Sequence, residues 1–278
     1  TAQGRLVVAD PSGFVLFVIP SVLVSISFAP ILLSISPTPA FDTTKPMTLR
    51  ELYGVSPLGV TGMLLLGSVF SAQFGMSAVY GAAAGLSVGQ ISAFVAMFFV
   101  GSLVVQYPLG WLSDRMDRRI LILVCAAVGA GGGVLGYLSG HVFEALLLSA
   151  FVIGGVSNPL YSLLIAYTND FLQPDDMAAA SGGLVFVNGL GAIAGPVIAG
   201  QIMGAVGPPG FFVVIGVFFA ALALYAAYRM TQRPSPSAEE SASYAPVTPA
   251  ATAVAVEIAQ EYAIETQAED ENAAPDAA

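Results

Sequence analysis

Ten residues, Gly110-Trp-Leu-Ser-Asp-Arg-Met-Asp-Arg-Arg119, hold five charged side chains in a chain whose charged fraction is 9%. Carboxylates and guanidiniums this close can form charge-assisted hydrogen bonds or cap a helix end. The remaining polar groups are sparse and stand inside apolar runs: Gln73, Tyr80, Gln106, Asn158, Tyr161, Tyr167 and Asn188. Hydrocarbon tolerates such groups where they face protein or a water-filled cavity, which makes them candidates for contact with a solute. Asn158 and Tyr161 are three apart and share a helical face, beside an Asn158-Pro159 step that weakens a helix. A break there would free backbone groups for a substrate. Gln73, Asn158 and Tyr161 are therefore the candidate substrate contacts, and hydrogen bonding between helices is the commoner use of such residues.

Other chemistries find little support. Gly85-Leu-Ser-Val-Gly89 has the letters of a hydrolase nucleophile elbow, but that motif needs a preceding strand and a partnered histidine, and the sole histidine, His141, is far along the chain. Gly131-Gly-Gly-Val-Leu-Gly136 fits a dinucleotide pattern only as letters, and reads as helix-packing glycine. A single cysteine, Cys125, excludes an internal disulfide and a cysteine-rich metal site. The expectation is no enzyme, no cofactor, no metal and no nucleic-acid partner. His141 and Glu144 sit near one end of an apolar run, and Asp170, Asp175 and Asp176 lie in a loop; all five read as solvated.

The elements that must position these residues follow from composition. Apolar residues make up 56% of the 278 and the mean hydropathy is +0.81, more than a soluble core needs. A hydrocarbon layer about 30 Å thick takes about 20 helical residues. Seven runs qualify, at about 13–34, 57–84, 90–112, 120–138, 142–167, 178–206 and 211–230. The fold class expected is an all-α membrane protein of seven transmembrane helices, with the lipid bilayer as its first partner. Barrel strands would be shorter and alternating. Lys45 and Arg50, then Arg115, Arg118 and Arg119, then Arg229 and Arg233 fall on one side if every run spans, with only Arg5 opposite. That side reads as cytoplasmic, in a plasma or inner membrane, and the charged decamer as a cytoplasmic loop. Thr1 stands where a Met would open a chain and is then external, so the expectation is a fragment lacking an odd number of upstream helices.

Pro37, Pro39 and Pro46 break the connection between the first two runs, and Thr48-Leu-Arg-Glu51 offers a capping box for a short interfacial turn. The divisions expected are a helix in 1–35, a central cytoplasmic loop in 36–56, a six-helix bundle in 57–230 and an acidic tail in 231–278. After the joint, two consecutive helix triplets have opposite topology, an arrangement common in secondary transporters. Residues 231–278 carry −8 of the net charge of −10 and read as a disordered cytoplasmic tail, in which Glu257, Glu261 and Glu265 could stripe a short helix.

At this point the residues carry a resemblance. Gly110, Asp114, Arg115, Arg118 and Arg119, in G-x-x-x-D-R-x-x-R-R, resemble the cytoplasmic loop motif of the major facilitator superfamily, in the copy between its eighth and ninth helices. Residues 36–56 are similar to its central loop. Gly191, Gly195, Pro196 and Gly200 resemble its glycine-proline motif, displaced to the symmetry-related helix of the second half. Asp117 departs from the pattern, since the family's loop usually has glycine there, which puts a tight turn at that position in doubt. The resemblance implies helices six to twelve of a twelve-helix transporter of a small-molecule substrate, with the N-terminal half missing. It also implies two inverted three-helix repeats preceded by one helix, and a loop whose Asp114, Arg115 and Arg119 latch one conformation; the plain alternative is a positive-inside anchor. A coupling proton is a further candidate partner, its carboxylate expected in the missing half. Substrate, direction and symport, antiport or uniport stay open. From another class, a seven-helix receptor shares the helix count, but lacks a Lys in the last helix and has minimal external turns.

Overall fold

A helix end is the exposed liability of a membrane helix, because its first N–H and last C=O groups have no partner within the helix. The computed structural model describes residues 47–139 and 142–232, together with helical positions 18, 21, 22 and 24–26. In it the loops supply the missing partners. Thr48 opens α1, Leu49–Val55, with a full capping box: the Glu51 N–H donates to Thr48 Oγ1 at 3.3 Å and the Thr48 N–H to Glu51 Oε2 at 2.8 Å. Ser56 accepts from the Gly59 N–H at 3.2 Å and Pro57 takes the first helical position, which opens α2, Pro57–Gly75. A short α3, Ser77–Ala83, follows. Ser87 and Gln90 form a second capping box at the head of α4, Val88–Ser113.

Asp117 caps α5, Arg118–Leu138, by accepting from the Arg119 N–H at 2.9 Å. Its φ is −56°, so this loop makes its turn without the left-handed backbone that would require glycine. The central α6 is Phe143–Asn169, and α7, Pro174–Val206, again starts on a proline. Gly207, at φ 84°, ends α7 in a conformation that side chains disfavour, and α8 runs Gly210–Met230.

Six of these helices, α2 and α4 to α8, are long and apolar enough to cross a membrane, and the described residues contain no strand. The expected first run, at about 13–34, lies mostly outside the described residues, as do His141 and residues 233–278 with their glutamate stripe. Residues 1–43 form a separate unit, in which the described positions are helical.

Two expectations about helix continuity are corrected. The run at 57–84 is two helices, interrupted at Met76. The Asn158-Pro159 step, expected to break its helix, lies inside an unbroken α6. Proline removes one N–H there, but α6 is enclosed along 83% of its most apolar stretch, and its neighbours hold the helix straight through.

The six long helices pair in a regular way. α2 packs on α7 and α4 on α6; α5 packs on α6 and α2 on α8; α5 meets α8 and α2 meets α6. Exchanging α2, α4 and α5 for α6, α7 and α8 turns each of these contacts into another of the set. α7 also packs on α8, a contact without a comparable counterpart between α4 and α5, so the two three-helix units repeat one another's packing in most of their contacts but not all.

The crossings obey the same exchange. A Cβ on Gly67 of α2 would lie 2.0 Å from the Asn188 carbonyl oxygen of α7, and one on Gly191 2.0 Å from that of Leu64. At the related crossing a Cβ on Gly101 of α4 would lie 2.1 Å from the Phe151 oxygen of α6, and one on Gly154 2.1 Å from that of Phe98. Backbone touches backbone at both, which small residues alone permit. The core sits along α6 and the inner faces of its neighbours, with Tyr161, Phe94, Phe98, Phe211, Phe212 and Phe219 fully buried.

Candidate functional site

Gln73 lies in the last turn of α2, one residue short of the pair Gly75-Met76 where the helix is interrupted. The Ser77 hydroxyl of α3 donates back to the Gln73 carbonyl, which satisfies one of the carbonyls freed by the interruption. Across the seam Ser157 of α6 donates to Gln73 Oε1 at 3.1 Å. That bond fixes the carboxamide and leaves Nε2 buried with no hydrogen-bond partner. One helical turn from Ser157, the Tyr161 hydroxyl is likewise buried and unpartnered. Asn158, at 7% exposure, shares this stretch of α6. The structure thus brings Gln73 and the Asn158–Tyr161 turn to one place, the α2–α6 seam.

Aromatic rings line the approach to it. Phe70 meets Tyr161 edge to face at 6.1 Å between centroids, and Phe74 stacks on Phe70 at 6.1 Å. Phe74 also contacts Phe98 at 6.5 Å and Phe99 at 5.1 Å. Ser157, Ser77 and these phenylalanines were not singled out from sequence, because serine and phenylalanine are ordinary in an apolar helix. The signal available was spacing: Ser157 is four before Tyr161, and Phe70 three before Gln73.

The other intramembrane polar residues do structural work. Asn188 Nδ2 donates to the Met63 carbonyl at 3.1 Å, and Ser68 donates to that of Gly191 at 3.0 Å, both binding α7 to α2. Gly195 backs onto Ser68 and Ser71, and Pro196 is carried inside α7. Gly200 stands apart from this contact: a Cβ there would meet only Met76 Cε, at 3.9 Å. Tyr80 stacks on Phe211 at 5.0 Å, in a second aromatic cluster with Phe94 and Phe212.

The charged decamer joins three helices. Gly110 is buried at the end of α4, and Asp114 is its exposed C-cap, with its N–H donating to the Gly110 oxygen at 3.3 Å. Arg115 donates to the Trp111 oxygen at 3.1 Å and lies over the Trp111 ring at 4.3 Å. Arg119 forms a bidentate pair with Asp117, at 3.2 and 2.8 Å. Arg118 reaches furthest: Nη1 pairs with Asp170 at the C-cap of α6 and Nε donates to Ser113 at 3.3 Å. Asp170 was expected in solvent and is instead buried, with both side chains of the pair 3% exposed. The anion sits at the negative end of α6, where a nearby cation is required.

A chain whose described residues hold six helices long and apolar enough to cross a bilayer, with backbone-to-backbone crossings between them, is an integral membrane protein. The chain belongs to the Major Facilitator Superfamily, whose profile matches residues 58–259. It is 32% identical over 174 residues to the uncharacterized MFS-type transporter YfkF of Bacillus subtilis, covering 60% of this chain and 43% of that protein. It is 23% identical over 207 residues to the uncharacterized MFS-type transporter YcaD of Escherichia fergusonii, covering 73% of this chain and 53% of that protein. An uncharacterized MFS-type transporter of Yersinia pestis is 24% identical over 166 residues, covering 59% of this chain and 42% of that protein. The chain spans about half the length of the curated relatives it matches.

Proposed function

We propose that the protein is a secondary active transporter of a small organic solute, and that this chain supplies its C-terminal six-helix bundle. The observation that carries the proposal is the pair of inverted triplets meeting at the α2–α6 seam, where Gln73, Asn158 and Tyr161 contact the solute. The relatives' length supports a second membrane half as partner. So do α4 and α7, which are counterparts in the two triplets and are buried along only 22% and 33% of their most apolar stretches. Their open faces receive that half. Superfamily membership does not favour the seven-helix receptor.

Transport then proceeds by alternating access. The decamer stands on the cytoplasmic face of a plasma membrane, with the acidic tail on the same side. Arg118 braces the loop against α6, and Asp114, Arg115 and Arg119 form the latch that meets the opposite half. Breaking that contact releases one conformation. Gly191 and Gly195 make α7 a packing surface, and Pro196 and Gly200 give it a bending point. A proton is the candidate coupling ion, through a carboxylate in the other half.

The test uses the complete protein with Cys125→Ser and Asn158→Cys, in right-side-out and inverted vesicles. A membrane-impermeant maleimide should label position 158 from both sides, and Asp114→Asn should shift the ratio of the two rates severalfold. Labelling from one side only, unmoved by Asp114→Asn, would point to a fixed pore or a receptor and end the proposal.

A further inference from the structure

The α2–α6 seam also constrains what kind of solute fits it. A buried donor without a partner costs about 1–3 kcal/mol, so native interiors rarely keep one. Here two stand on facing helices, Gln73 Nε2 and the Tyr161 hydroxyl, at residues that are both 0% exposed. With Oε1 held by Ser157, the amide turns its N–H groups outward from that bond, and Tyr161 adds an O–H. What is missing is an acceptor. No Asp, Glu, Lys or Arg occurs between Leu58 and Asp114, or between Ala145 and Asn169; the one charged residue on the two helices that form the seam is Glu144, in the first turn of α6 and more than three turns from Ser157, so no charge stands at the seam itself to neutralise a charged ligand.

The surroundings specify the rest of the molecule. Phe70, Phe74 and Phe99 run as touching rings from Tyr161, which is fully buried, to Phe99, which is 56% exposed. Such a run offers faces and edges on which a flat aromatic body packs in offset or T-shaped contacts.

We propose that Gln73 and Tyr161 receive the carbonyl-type oxygen of an uncharged aromatic solute, whose rings lie along Phe70, Phe74 and Phe99. This assignment rests on the transport reading and names its substrate class. Ser157 and Ser77 are positioning residues, the first fixing the amide and the second its backbone.

The experiment takes the complete protein, purified and reconstituted, with four matched tricyclic probes: xanthone, an uncharged ketone; anthracene, which lacks the acceptor; anthracene-9-carboxylate, an anion; and 9-aminoacridine, a cation. Equilibrium binding should favour xanthone at least tenfold over each of the others. Gln73→Leu and Tyr161→Phe should each weaken xanthone binding about tenfold or more, while the melting temperature of the unliganded protein stays level or rises, because each removes an unpaired buried donor. Ser157→Ala should weaken binding less, since it frees the amide without deleting it. A preference for the anion or the cation overturns the substrate class and leaves the transport reading standing. Xanthone affinity unchanged within twofold in both variants overturns the site. If no probe binds the folded protein, this assignment fails, while the transport reading stands or falls on the two-sided labelling of position 158.

Discussion

Arg118 and Asp170 give the most direct test of how the basic loop is held. Removing one member of a buried ion pair leaves an uncompensated charge, at a cost of about 3–5 kcal/mol. Two details place each variant within that range. With Asp170→Leu, Arg118 keeps its donations to Ser113 at 3.3 Å and to the Ala166 carbonyl at 3.4 Å, so the loss falls near the lower bound, about 3 kcal/mol. With Arg118→Met, a carboxylate is left at the C-cap of α6, where the helix dipole opposes it by a further amount of up to about 1 kcal/mol. That loss falls near the upper bound, about 5 kcal/mol. The double variant Arg118→Met, Asp170→Leu removes both charges and should lose less than about 1.5 kcal/mol. The assay is a double-mutant cycle on reversible unfolding in mixed micelles, in which these losses imply a coupling of about 6 kcal/mol. Coupling below about 0.5 kcal/mol, with the single losses simply adding, would refute the view that this pair is the staple between α5 and α6.

Two further outcomes follow from the crossings. Gly191→Ala and Gly101→Ala each force a methyl group against backbone, 2.0 Å from the Leu64 oxygen and 2.1 Å from that of Phe151, and should each lose about 1–3 kcal/mol or more. Gly200→Ala, with nothing nearer than 3.9 Å, should stay within about 0.5 kcal/mol, so equal damage at Gly200 in a thermal-stability assay would contradict the packing described. Asn188→Ala removes the donation to the Met63 carbonyl and should lose about 0.6–1.7 kcal/mol of stability while leaving solute affinity unchanged; a matching loss of affinity would place Asn188 in the site instead.

Most of the helices were legible because hydrocarbon leaves so little choice. A run of about 20 apolar residues must be helical when no water is present to satisfy its backbone. The Thr48 capping box was legible for a related reason, since its spacing is what the two hydrogen bonds require. Continuity was harder, and Pro159 and Met76 show why. Proline is a local breaker, yet around α6 the enclosing helices decide the path and Pro159 is carried along. At Met76 no proline marks the interruption, and what distinguishes it is the Ser77 hydroxyl turning back to the Gln73 carbonyl. Asp170 illustrates a third limit: a carboxylate in a polar loop reads as solvated until the fold delivers Arg118 to it from another helix.

The polar residues inside the helices make the same point about function. Gln73, Asn188 and Tyr161 are alike in sequence, each an isolated hydrogen-bonding group in an apolar run. Packing uses them differently. The Asn188 donor is taken by a backbone carbonyl across the α2–α7 crossing, and half of the Gln73 amide is taken by Ser157. The other half of that amide and the Tyr161 hydroxyl are left without partners. A polar residue in a membrane helix therefore speaks for a ligand only through the hydrogen bonds that packing leaves unmade. Those depend on neighbours more than eighty residues away in the chain, as Ser157 is from Gln73. The α2–α6 seam qualifies on that criterion, and the α2–α7 crossing, equally polar in composition, does not.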